Sequence, residues 1–551
     1  MNNLKIIMIT VLTVIYGVLP HQGGSAENPE NSNNNKILLI TSDYGSVGRC
    51  KTYEDILEVA NTMISARPDI QVMDAANPDQ CYYKSSAGYY RSGGNLGALY
   101  DAGQDPYGIM VDNLKNAGIT VLAGIRVNDH QGAYVPWAEE HREWSLGHDL
   151  GDRGYKNVGR LRQMDYAIEG VREHRLAIIK EIISKYNVDG IQLDFGRTPP
   201  YLSEPKREKA KFMTQFIRDV RKVLDKASGK GKRKQLILGV ILPWDLDFCE
   251  YHGLEIKRWI REGLVSHVSP GEWYYSDWNI PLDGWVKLTE GTDCKLYPMT
   301  CGNVAPYGQA NVGSPVPWER GEQTLLGDNW VLDGLKISSL AETFYSQGAD
   351  GFMLYNFYVI GGGTDISFGN YYPFIRDWAD PAKIPFMSRH YFYCRRLKYV
   401  PTEHYTFGDD GYLPHEIEAF TRFPLDKIGD EIIYRFRFGA ELNESTAKLR
   451  FKMKNAFEAD KVSVTINGLN IEPAKIRRLE RNPEMGDSYK VAVWETPITT
   501  PPLKQGENEI RVKLLMNDPA RHVKIDEGRP GRHVKVEVCE FEIFIEPAVK
   551  D

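Results

Sequence analysis

The sequence predicts an α/β fold, a (β/α)8 TIM barrel, followed by an all-β sandwich. From Lys36 to about position 400, eight short apolar runs alternate with stretches whose apolar residues recur at helical spacing, the count a closed barrel requires. An open doubly wound sheet would carry a glycine-rich phosphate turn after its first strand, and DYGSVG, 43 to 48, lacks the G-x-G-x-x-G spacing. From about Pro401 the helical period stops, and alternating runs follow one another between turns.

The elements follow in order. Lys36 to Asp43 reads as the first strand, ending on a carboxylate, and Tyr53 to Ile64 as the first helix. Ile70 to Asp74 is a weaker second strand. A Gly- and Tyr-rich loop, Cys81 to Gly103, leads to a helix near Asp105 to Ala117 and a third strand, Ile119 to Val127, with Arg126 and Asp129 at its exit. The long loop His130 to Leu161 holds Trp137, Trp144, His130, His141 and His148, and predicts a wall of a binding cleft. Its histidines lack the i, i+4 spacing of a helical metal site.

A helix, Asp165 to Lys185, delivers the chain to NVDGIQLDFGR, Asn187 to Arg197. Val188, Ile191 and Leu193 give this fourth strand its apolar body, and Asp194 stands at its exit. In a β/α barrel that position points into the mouth where chemistry is done, so the rest of the chain is read around Asp194. Helix Lys206 to Leu224 and strand Leu236 to Leu242 follow, with Trp244 and Asp245 at the exit. Helix Leu254 to Arg261 and strand Val265 to Ser269 come next, with Glu272, Trp273, Tyr274 and Tyr275 beyond. A helix over Leu282 to Thr289, strand Lys295 to Met299, helix Leu335 to Gln347 and strand Gly351 to Asn356 complete the barrel. In the tail, Asn467-Gly468 is a strong hairpin signal.

The expected organisation is a signal peptide over 1–26, a polar leader over 27–35, a barrel over 36–400, a linker over 401–430 and a sandwich over 431–551. Lys5, the apolar run Ile6 to Leu19 and the small residues Gly24-Ser25-Ala26 carry the signal-peptide reading, hence export to the periplasm or beyond. That run is shorter than the roughly 20 residues a membrane span needs. Acidic residues exceed basic ones, giving a formal net charge of -7, and no lysine-arginine block stands apart, so neither a nucleic-acid nor an anionic-membrane partner is expected. The seven cysteines show no CxxC pair, and a bridge among Cys50, Cys81, Cys294 and Cys301 stays open. No metal and no organic cofactor is implied.

Read with ITVLAGIRVND and GLEIKRWIREGLVSHVSP, the fourth-strand motif resembles the glycoside-hydrolase-like barrels described as family ten-like, over roughly Lys36 to Arg396. The tail resembles the jelly-roll accessory modules of such enzymes, through the LxxGxN turn Leu503 to Asn508. The chain departs from true family ten enzymes, whose catalytic glutamates leave strands four and seven, because CKLYPMTCG ends on no carboxylate.

Glycoside hydrolysis needs two carboxyl groups, one protonating the leaving oxygen and one acting as nucleophile or base. Asp194 leaving strand four and Glu272 leaving strand six resemble the placement in α-galactosidase-like barrels, which implies a nucleophile role for Asp194 and a general-acid role for Glu272. Asp277 and Asp245 are the alternates. Asp43, Arg126, Asp129, Trp137, Arg197, Trp244, Trp273, Tyr275 and Asn356 are the substrate-binding candidates. Arg126 and Arg197 match a carboxylate or sulfate on a sugar, or serve as counterions for Asp129 and Asp194. The reading is a glycosidase acting on a polysaccharide or oligosaccharide. Its rivals are a sugar-binding barrel without catalysis and a polysaccharide lyase or deacetylase using the same cleft.

Overall fold

The computed structural model describes residues 36–547, leaving out 43–44, 91–92, 130–134, 147–162, 198, 230–234, 273–275, 302–331, 358–371, 395–422, 443–444, 455, 457–458, 472–474, 480–490, 499–501, 519–521, 524–531 and 534–535. The signal-peptide and leader expectations therefore lie outside the described residues. So do Asp43, Trp273, Tyr274, Tyr275, His130 and His148.

Eight parallel strands close on themselves. They are β1 (Ile37–Ser42), β2 (Ile70–Asn77), β3 (Thr120–Arg126), β4 (Gly190–Asp194), β5 (Ile237–Pro243), β6 (His267–Gly271), β7 (Met299–Cys301) and β8 (Gly351–Tyr355). A short piece, Lys295–Leu296, precedes β7 and pairs with β6. Closure is the pairing of β1 with both β8 and β2, Ile37 lying opposite Gly351 and Leu39 opposite Ile70.

The helices on the outside are α1 (Tyr53–Ser65), α2 (Pro106–Asn116), α3 (Glu169–Lys185), α4 (Lys206–Ser228), α5 (Ile256–Arg261), α6 (Asp283–Thr289) and α7 (Gly334–Ser346). Local chemistry sets their starts. Thr52 and Asp55 form a reciprocal capping box on α1, and Asp333 accepts the Lys336 N–H at 3.0 Å on α7. On α4, Ala210, Met213, Ile217, Val220 and Leu224 make the buried stripe that lies on the barrel.

The two ends of the fourth-strand motif do different jobs. Asp189, before β4, accepts the Val121 N–H at 2.8 Å and pairs with Lys115 at 2.5 Å, tying neighbouring strands at the bottom of the barrel. Asp194 ends the strand at the top. Alternate strand residues point inward. Leu39, Ile70, Val72, Leu122, Ile241, Met299, Met353 and Tyr355 form a small apolar cluster of their own, apart from the larger core between strands and helices. A polar pair is set into the same interior: His267 Nε2 lies 2.6 Å from Gln192 Oε1, and a Cβ on Gly239 would come within 2.1 Å of that imidazole. Because Gln192 Oε1 only accepts, Nε2 carries the proton. Burial holds His267 neutral, with its pKa pushed down to about 3.

The sandwich recruits a strand ahead of the change in sequence texture. Arg389–Cys394 (β9) pairs antiparallel with the last strand, so the β domain reaches back across the expected boundary at 400. The other strands of its two sheets are β10 (Phe423–Leu425), β11 (Glu431–Phe438), β12 (Thr446–Lys454), β13 (Lys461–Ile466), β14 (Leu469–Ile471), β15 (Lys475–Leu479), β16 (Val491–Ile498), β17 (Gly506–Met516) and β18 (Val536–Glu546). One sheet runs β9-β18-β12-β16-β15, with β10 on β18, and the other runs β11-β17-β13-β14. Asn467 and Gly468 join β13 to β14 with φ of 50° and 81°, both positive as a type I′ hairpin requires.

Barrel and sandwich are tightly joined. Trp278 donates its indole N–H to Ser339 Oγ at 2.7 Å, and Ser339 donates to the His390 carbonyl at 2.6 Å. Asn279 exchanges hydrogen bonds of 2.9 Å with the backbone of Arg435 and Arg437, and Arg437 pairs with Asp283 at 2.6 Å. Cys50, Cys81, Cys249, Cys294 and Cys301 are free thiols, so none of the four candidates for a bridge is bonded. Among the described residues no helix is long and apolar enough to cross a membrane.

Candidate active site

At the top of the barrel, alternation brings inward residues of four strands together: Asp74 on β2, Arg126 on β3, Asp194 on β4 and Tyr355 on β8. Gly124, one inward position below Arg126, leaves the space Asp74 uses, since a Cβ there would lie 2.7 Å from Asp74 Oδ1. Two residues past β3, Asn128 fixes the turn. Its side chain accepts the Met164 N–H at 3.0 Å and donates to the carbonyls of Met164 and Pro200 at 3.2 and 3.0 Å. Asp129 is thereby carried over the mouth.

Each oxygen of Asp194 takes one fixed donor: Oδ1 the Gly196 N–H at 2.8 Å, and Oδ2 the Tyr355 hydroxyl at 2.6 Å. The carboxyl is only 5% exposed. Burial raises its pKa above the ordinary aspartate value, while the Tyr355 hydroxyl, Arg126, Arg197 and the Gly196 amide pull in the opposite direction. Tyr355 has its own pKa pushed well up, first by burial and then by Asp194, so it is a fixed hydroxyl donor.

The two guanidiniums are paired off. Arg197 Nε lies 2.7 Å from Asp129 Oδ2, Arg126 Nη1 3.6 Å from the same oxygen, and Arg126 Nη2 3.4 Å from Asp74 Oδ2. Burial and the like charge of Arg126 work against the charge on Arg197, but Asp129, Tyr355 and Asp194 outweigh them and leave its pKa above the ordinary value.

Glu272 directly follows β6 and is fully buried. The two alternates also follow the C-terminal ends of strands. Asp245 caps the short helix Leu246–Tyr251, accepting the N–H groups of Asp247 and Phe248 at 2.9 and 3.0 Å. Asp277 accepts the Asn279 N–H at 2.7 Å and acts electrostatically on Tyr393 of the sandwich, which places it towards the junction.

Trp244 is partly buried against the core, and its carbonyl accepts the Trp285 indole N–H at 2.7 Å. Trp137 stacks on His174 with ring centroids 3.8 Å apart, and His141 stacks on Trp144 at 4.0 Å, so this part of the long loop is pinned to α3. Asn356 holds a left-handed φ of 48° while its N–H donates to Thr41 Oγ1 at 2.7 Å. A non-glycine residue held in that region at the mouth costs energy that its surroundings must meet. Asp74 and Tyr355 join the cluster without having been singled out in the sequence. Alternation counted along β2 from Ile70 and Val72, and along β8 from Met353, was the available signal.

No protein-family model matches the sequence, and no curated protein sequence matches it. Solved structures with a similar chain path include several glycoside hydrolases. The glycoside hydrolase domain of PgaB (BpsB) from Bordetella bronchiseptica is 12% identical, with a TM-score of 0.41, over 63% of this chain and 99% of that one. α-L-Fucosidase isoenzyme 2 from Paenibacillus thiaminolyticus is 13% identical, with a TM-score of 0.39, over 62% of this chain and 49% of that one, so this chain spans about half of the fucosidase. A family GH18 chitinase from Cycas revoluta is 8% identical, with a TM-score of 0.38, over 62% and 98%. Family ten specifically is not supported by these likenesses, and likenesses this distant do not decide the reaction.

Proposed function

We propose that the protein is an exported glycosidase that cleaves a polysaccharide or its oligosaccharides at the mouth of the barrel, with Asp194 as nucleophile and Glu272 as general acid. The observation that carries this reading is Asp194 itself. It is a nearly buried carboxyl at the end of β4, with one fixed donor on each oxygen and two guanidiniums nearby. A carboxylate oxygen has two lone-pair sites, so each retains one for attack. In the proposed first step Asp194 bonds to the anomeric carbon, the glycosidic C–O bond breaks, and the Glu272 proton passes to the leaving oxygen. In the second, Glu272 takes a proton from water, whose oxygen bonds to the same carbon and releases Asp194. Tyr355 and Gly196 hold the attacking group in one orientation, which is where most of the advantage of a preorganised site arises.

The test is reducing-end release by the chain from residue 27 onward, across neutral, amino, uronate-containing and sulfated glycans, with Asp194→Asn alongside. Activity in the parent that falls at least about 10³-fold in the variant supports the assignment. Equal activity in the two removes Asp194 from the centre while leaving the class. Binding without turnover anywhere on the panel favours the sugar-binding barrel. An unsaturated product or released acetate identifies the lyase or deacetylase.

A further inference from the structure

We propose that Asp129 fixes the class of sugar admitted to the mouth, an uncharged glycan, by occupying the two guanidiniums that would otherwise engage an anionic one. The proposal rests on the glycosidase reading of the same site. Arginine forks match carboxylates and sulfates well, and two of them at a barrel mouth would ordinarily mark a uronate or sulfated substrate. Here both are already engaged by the protein. Asp129 Oδ2 lies 2.7 Å from Arg197 Nε and 3.6 Å from Arg126 Nη1, and Asp74 lies 3.4 Å from Arg126 Nη2. Arg126 is only 1% exposed, so an incoming anion does not reach it without displacing a neighbour.

Charge bookkeeping points the same way. Asp74, Asp129 and Asp194 face Arg126 and Arg197, so with Asp194 ionised for attack the cluster is net negative. A uronate or sulfate beside Asp194 would meet a like charge in a poorly solvated site, where screening is weak. A neutral sugar instead offers hydroxyls, which suit carboxylate acceptors and desolvate at lower cost. Asn128 makes the arrangement rigid, since its three hydrogen bonds hold the turn that carries Asp129.

The experiment uses oligosaccharides matched in length and linkage that differ only in carrying a hydroxymethyl or a carboxylate at C6. Binding is measured by calorimetry on the full chain, parent and Asp129→Asn, with kcat/KM measured wherever turnover occurs. The parent is expected to favour the neutral series at least tenfold. Asp129→Asn, which removes the carboxylate shared by both guanidiniums and leaves Arg126 with Asp74, is expected to shift the ratio at least tenfold towards the uronate, with binding that weakens as salt rises. If Asp129→Asn does not fold, Asp74→Asn, which removes one of the two carboxylates on Arg126 and leaves Asp129 as the other, reads the same ratio. A parent that prefers the uronate, or a folded variant with an unchanged ratio, overturns the proposal and leaves the glycosidase reading standing. Neutral preference without turnover supports the proposal and removes the hydrolase reading. Binding to neither series defeats both.

Discussion

Asp194 and Tyr355 set the first prediction. Burial raises the Asp194 pKa, and a nucleophile must be ionised, so activity climbs with pH along an acid limb lying above the ordinary aspartate range. Tyr355→Phe removes a donor that favours the ionised form, so the limb moves to still higher pH and kcat falls about tenfold. A pH–rate profile of parent and variant checks this, and a limb that stays in place or moves down contradicts it. The motif around β4 made Asp194 legible, because a carboxylate at a strand exit breaks an apolar run. Tyr355 and Asp74 were hidden for the opposite reason. One closes GFMLY as a natural strand residue, and the other sits in the run whose alternation was weakest.

The elements were legible wherever the hydrophobic period was long. β4, β5 and α4 run close to their expected bounds. β2 continues to Asn77, three residues past its expected end at Asp74. A helix, Gly94–Asp101, stands in what reads as a Gly- and Tyr-rich loop, and there local glycine content concealed an apolar face of Leu96, Leu99 and Tyr100. β9 was missed because Arg389–Cys394 finds its partner more than 140 residues later, beyond the reach of any local pattern.

Two predictions belong to this scale. Gly239→Ala drives a methyl into the His267–Gln192 pair inside the barrel and costs about 1–3 kcal/mol by overpacking, read as a lower denaturant midpoint at unchanged slope. His267 is depressed to about 3 from an unfolded value near 6.5, so its contribution to stability is present above 6.5 and lost as pH falls towards 3. Replacing it with Gln flattens the stability curve across that window. A curve that keeps its slope contradicts the assignment of a neutral buried imidazole.

At the scale of the molecule, barrel and sandwich are expected to unfold together. The Trp278–Ser339–His390 chain, the Asn279 bonds and the Arg437–Asp283 pair cross the junction, and Arg389 on β9 pairs with Glu342 of α7 at 3.0 Å. A chain ending before Arg389 would leave the Glu342 carboxyl, whose pKa burial already raises, without its cation. Calorimetry of the full chain should give one transition, and the truncated barrel should aggregate or melt well below it. Two separate transitions, with a barrel as stable alone as in the whole, would falsify this view of the junction. The barrel-plus-sandwich order was readable from the change of period, while the depth of their contact depends on side chains far apart in sequence.

The central claim is that Asp194 forms a covalent bond to the sugar, and trapping tests it most directly. A 2-deoxy-2-fluoro glycoside of the sugar found on the glycan panel slows release of the intermediate, and intact mass followed by peptide mapping locates the adduct. One glycosyl unit on the peptide containing Asp194, absent in Asp194→Asn, is the result predicted. An adduct on another carboxylate, or turnover of the natural glycan with no adduct at any residue, would contradict it.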